Sequence, residues 1–125
     1  MAPSEKELTV SIRPVDWSAD AEAGLALSLG DDLPIIRAEI ARGESVLWRC
    51  TAGEFDGYAV TRVEVQAGEA VMVACEGSGF DVFAPFIVRH FRNQGFRLRA
   101  HVKRRGMIRM WQRYGLHLNE FVLRG

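Results

Sequence analysis

Between Ala70 and Lys103 the chain changes its hydrophobic period twice, and this leaves few ways to fold. Ala70 to Cys75 is a short apolar run bounded by glycine-containing turns, which predicts a strand. From Phe80 or Asp81 to Gln94, Phe83, Phe86 or Ile87, His90 and Phe91 recur at helical spacing, and Gly95 stops the pattern. Phe96-Arg97-Leu98-Arg99-Ala100-His101-Val102-Lys103 then alternates apolar and basic residues strictly, which is the period of a strand with two unlike faces. Two strands joined by a helical crossover run parallel. The chain must therefore contain a parallel pair.

Upstream lie a first strand, two helices and a three-strand meander with short turns. Leu8 to Pro14 alternates and ends at proline, as a first strand. Ser18 can cap a helix over Ala19 to Leu29, stopped by Gly30. Asp31-Asp32-Leu33-Pro34 opens a second helix whose apolar stripe is Ile35, Ile36, Ile40 and Ala41, closed by Gly43. Val46 to Thr51, Tyr58 to Gln66 and Ala70 to Cys75 form a meander through the turns Gly53-Glu54-Phe55-Asp56-Gly57 and Ala67-Gly68-Glu69. Such turns predict antiparallel hairpins. The expected class is α+β (α/β), with a mixed, mostly antiparallel sheet and helices on both faces. No repeat, low-complexity stretch or linker divides the 125 residues, so a single domain over 1–125 is expected.

The chain is 48% hydrophobic and 26% charged, in the range of a globular domain. No apolar run approaches the roughly 20 residues of a membrane span. Met1 to Glu7 is polar and acidic, unlike a signal peptide. Cys50 and Cys75 sit in apparent strands without metal-ligand spacing, which points to reduced thiols and a cytoplasmic setting. His90, His101 and His117 are scattered, so no metal is expected, and His90 falls on the apolar side of its helix as a core histidine.

The zero net charge conceals an asymmetry. Residues 1–81 hold 6 Lys/Arg and 15 Asp/Glu, whereas residues 82–119 hold 9 Lys/Arg and no acid. Either the halves neutralise each other within one domain, or the basic half faces a polyanion, a phosphate-bearing cofactor or a nucleic acid. Nucleic acid is the weaker reading, through Arg97, Arg99, His101, Lys103, Arg104 and Arg105.

The last segment adds Met107, Ile108, Met110, Trp111 and Tyr114 along one side of a short helix, then Gly115-Leu116, then a strand from His117 to Leu123. Together with the element order, this arrangement resembles the GCN5-related N-acetyltransferase superfamily over nearly the whole chain. Members of that family often end with an asparagine, a short helix carrying a tyrosine, and a Gly-Phe joint into the final strand. Arg104, Trp111 and Gly115-Leu116 stand at those places here. The resemblance implies about six strands. It is also similar in style to compact phage and prophage members of the family.

The family binds acyl-CoA pyrophosphate at the turn between the fourth strand and the next helix, on backbone N–H groups and the helix dipole. The matching segment is Ala74-Cys75-Glu76-Gly77-Ser78-Gly79-Phe80-Asp81, without the family's leading Gln or Arg. The resemblance therefore places acetyl-CoA at Cys75, Gly77, Ser78 and Gly79, with Arg104 compensating for the flanking Glu76 and Asp81. Without the resemblance, the same segment is a tight strand-to-helix turn capped by Asp81. Glu76 and Glu64 are the candidate bases; Tyr114 is the candidate acid, since the indole of Trp111 is no acid in the working range. A β-branched residue at Gly77 or Gly79 is expected to abolish cofactor binding without unfolding.

Two functions follow from the resemblance. One is an acetyl-CoA-dependent N-acetyltransferase in which the amine attacks the thioester directly, where the fourth and fifth strands splay. The other is a catalytically inactive domain of the same fold, serving as a structural or binding component, with a protein partner, self-association or a place in a virion.

Overall fold

The computed structural model describes residues 9–100 and Arg113. In chain order the elements are β1 (Val10–Pro14), α1 (Ala19–Leu29), α2 (Leu33–Ala41), β2 (Val46–Ala52), β3 (Phe55–Glu64), β4 (Glu69–Gly77), α3 (Phe80–Asn93) and β5 (Arg97–Ala100). The strands form one sheet in sequence order, β1-β2-β3-β4-β5. The first three pairings are antiparallel. The fourth is parallel, from Glu69 opposite Arg97 to Met72 opposite Ala100. The crossover through α3 thus imposes the direction its length demands. The class is α+β with a mixed five-stranded sheet. The expected last helix and sixth strand lie outside the described residues.

Local chemistry sets the helix ends. The Ser18 hydroxyl accepts a hydrogen bond from the Ala21 N–H at 3.1 Å and so caps α1, a bond of this type contributing about 1 kcal/mol. Gly30 turns at a φ of +53° and leads through a 3₁₀ turn, Gly30–Asp32, into α2 with Pro34 in its first turn.

The sheet has a core on each face. On one, α3 lays Phe80, Phe83, Ala84, Ile87, Val88 and Phe91 over Cys50, Ala59, Ala70 and Met72. On the other, α1 and α2 lay Ala21, Leu25, Leu29 and Ile36 over Leu47, Val60 and Ala74. The helices therefore lie on both faces, as the two strand periodicities require. Two expected positions of the α2 stripe are corrected: Ile35 is 58% exposed and Ala41 is exposed, while Ile36 turns inward as expected. On α3, of the alternatives Phe86 and Ile87, Ile87 is the buried one and Phe86 is 41% exposed.

The meander also departs from its expected turns. The β2–β3 loop is the two residues Gly53-Glu54, because Ala52 pairs with Phe55 and the ladder continues through Asp56 and Gly57. Gly53 has a φ of +59° and Glu54 a negative one, as in a type II′ hairpin. In β4, Val60 pairs with Ala74 but Thr61 pairs with Met72, so Val73 is an extra, bulged residue. Val73 and Ala74 both pack on the α1/α2 side, while Met72 and Cys75 pack under α3. The bulge inverts the phase of everything after it.

Candidate functional site

The bulge determines where the strand-to-helix joint presents its side chains. Beyond Val73, β4 runs through Cys75 and Glu76 to Gly77, and the turn Ser78-Gly79 enters α3. The described pairing of β4 with β5 runs from Glu69 to Met72, whose partner Ala100 is the last residue described on β5. The bulged Val73 leaves the regular β3–β4 ladder.

The glycines of the joint serve packing. A Cβ on Gly77, whose φ is +133°, would collide with the Asp56 carbonyl oxygen and the Gly57 Cα. A Cβ on Gly79, at a φ of +74°, would enter the Phe55 ring. A Cβ on Gly57 would come within 2.5 Å of the Glu76 carbonyl oxygen and 2.8 Å of Phe80. Ser78 closes the same joint in both directions: its N–H donates to the Asp56 carbonyl at 2.9 Å, and its hydroxyl accepts from the Asp56 N–H at 3.2 Å. The central amide of the supposed phosphate cradle is thus already used. Side chains at Gly77 and Gly79 would therefore disturb the fold itself, so a β-branched residue there does not separate cofactor binding from folding.

Asp81 stands in the first turn of α3 and does not cap it; the cap position is Gly79, which has no side chain to offer. The Asp81 carboxylate accepts from Arg113 at 3.0 Å. This pair is well exposed and adds little stability, but it offsets the negative charge at the helix N-terminus. Arg104 and Tyr114 lie outside the described residues.

Glu76 faces α1. The Ser28 hydroxyl donates to its carboxylate, and also lies 3.2 Å from the Cys75 carbonyl oxygen. Across the sheet on this face stand Tyr58, opposite Glu76, and Arg49, opposite Tyr58. The Arg49 guanidinium lies 4.8 Å from the Tyr58 ring centroid and donates to the Gly57 carbonyl at 3.3 Å. A Cβ on Gly24 of α1 would come within 3.2 Å of that ring. Sequence reasoning missed Tyr58 and Arg49, since their register with Glu76 depends on the bulge. Cys75 faces the opposite core, so its side chain is on the α3 side of β4.

The other candidates separate as follows. Glu64 accepts from Arg99 at 2.8 Å, and Arg99 also approaches Glu69 at 3.7 Å. Acidic and basic halves therefore meet at this strand edge, which favours internal neutralisation over a nucleic-acid face. Burial pushes the Cys50 thiol up to about 12, so it stays protonated and inert. His90 is exposed, which corrects its expected place in the core. Its ring packs edge-on against Trp48, 5.7 Å between centroids, and Phe91, 5.0 Å. Among the described residues no group of three His, Cys, Asp or Glu converges as a metal site, and no helix is long and apolar enough to cross a membrane.

No protein-family model, no curated protein and no solved structure matches this chain.

Proposed function

We propose that the chain is a divergent acetyl-CoA-dependent N-acetyltransferase of the GCN5-related type. The carrying observation is the course of β4: the strand pairs parallel to β5, carries a bulge at Val73, and then passes through Gly-Ser-Gly into the N-terminus of α3. In this reading the amine nitrogen attacks the thioester carbon, the C–S bond breaks, and the electron pair leaves with the CoA sulfur. The Val73 N–H polarises the carbonyl oxygen. Glu76, oriented by Ser28, takes the amine proton directly or through water, and water returns a proton to the thiolate. The fit to the pyrophosphate rests on the dipole of the 14-residue α3 and on Arg113 at Asp81, since the Ser78 amide is engaged elsewhere.

Thermal unfolding with acetyl-CoA, CoA and ATP tests the binding. Ligand at about 100 times its dissociation constant adds roughly 2.7 kcal/mol, several degrees for a domain of this size. Acetyl-CoA and CoA are expected to shift the midpoint and ATP to leave it. Glu76→Gln is then expected to lower turnover by about a hundredfold or more with acetyl-CoA binding unchanged. No shift at millimolar acetyl-CoA would overturn the reading. The second function, a non-catalytic binding or structural domain, is favoured by the engagement of Ser78 and the joint glycines in packing.

A further inference from the structure

A cavity of about 240 Å³ opens at the far end of α3, between that helix and β1, β2 and β3. Its walls are Val10, Ile12, Trp48, Phe86, Ile87 and Phe91, and its polar lining is Thr61 and His90. His90 is ten residues beyond Phe80, about 15 Å along the helix axis, so the cavity is separate from the β4–α3 joint. A dry cavity of about 150 Å³ already accepts benzene, and this one is lined by aromatic rings with room for one more.

The polar groups restrict the occupant further. The Trp48 indole N–H donates to the Thr61 hydroxyl oxygen at 2.8 Å, which leaves the Thr61 hydrogen to be given. Gln94 Nε2 lies 3.4 Å from His90 Nε2, and the imidazole carries a ring N–H in either tautomer. Both lining groups thus offer hydrogens. The charges agree: Arg89 stacks on Phe86, 5.5 Å from the ring centroid. The acids of β3 and α3 are committed elsewhere, Asp56 to Arg49, Glu64 to Arg99 and Asp81 to Arg113, while β1 and β2 carry none.

We propose that this cavity binds a small monocyclic aromatic carboxylate, its ring among Trp48, Phe86 and Phe91 and its carboxylate toward Thr61, His90 and Arg89. The site does not depend on the acetyltransferase reading.

Titration with benzoate, followed through the indole N–H resonances and by calorimetry, tests it. Benzoate is expected to saturate and to shift the Trp48 resonance, assigned by Trp48→Phe. Benzyl alcohol, which keeps the ring and loses the charge, is expected to bind about tenfold more weakly or worse. Ile12→Trp should fill the cavity and abolish binding; Val10→Trp is the substitute if that variant does not fold. His90→Leu, at an exposed position, should weaken benzoate by about tenfold with the unliganded melting temperature unchanged. No saturation at about 10 mM, roughly tenfold above a 1 mM dissociation constant, would overturn the proposal. So would binding that survives both filling variants, or equal binding of benzyl alcohol.

Discussion

Gly77→Val is expected to destabilise the domain severely. Valine is a poor fit at a φ of +133°, and its Cβ would overlap the backbone of Asp56 and Gly57. Neither neighbour can retreat. Gly57 is paired to Gly77 across the β3–β4 ladder, and Asp56 is held by two hydrogen bonds to Ser78. Backbone strain and overpacking together place the cost at about 4 kcal/mol or more, against a total stability of about 5–15 kcal/mol for a domain. Equilibrium urea unfolding would measure it. Gly68→Ala is the control: Gly68 also has a positive φ, +66°, but nothing lies within 4 Å of a Cβ there. Its cost should be about 1 kcal/mol. Equal effects at the two sites would refute the packing role of Gly77.

Phe83→Ala is expected to cost about 3–5 kcal/mol. Phe83 is fully buried and is the largest such side chain among the described residues, on the α3 face of the sheet. Its ring meets Phe80 edge-on, with centroids 5.5 Å apart, so truncation removes that pair and leaves a void. At about 4 °C per kcal/mol for this length, the melting temperature should fall by about 12–20 °C. Phe86→Ala, three residues on and 41% exposed, should lose far less. If the two variants melt together, α3 does not face the sheet as described.

These two residues differ in how visible their roles are beforehand. Phe83 is marked by helical spacing, and the helix it predicts runs over Phe80–Asn93 as expected to within a residue. Gly77 is visible only as a glycine in a turn. Its reason, the close approach of β3, follows from pairing with residues twenty positions upstream. Phe55-Asp56-Gly57 has turn composition, yet becomes strand because Gly77 and Ser78 supply its partners. Local propensity yields there to the ladder. His90 has the same history: its position on the helix places it beside Phe91, but its side chain is exposed and lines the cavity between α3 and the sheet.

The candidate site divides along the same line. Glu76 and the Gly-Ser-Gly turn stand out in the sequence because a strand gives way to a helix there. The side Glu76 faces does not, since Ala70-Val71-Met72-Val73-Ala74-Cys75 is apolar throughout and carries no phase. One extra residue, Val73, turns Glu76 toward Ser28 and aligns it with Tyr58 and Arg49.

By itself the sequence determined the order of elements from β1 to β5, the helix limits and the parallel β4–β5 pair, because periodicity, caps and crossover length act within short stretches of chain. Only the tertiary structure decided the bulge at Val73, the use of the joint glycines and the cavity beneath α3, because each depends on contacts between segments whose registers no local pattern encodes.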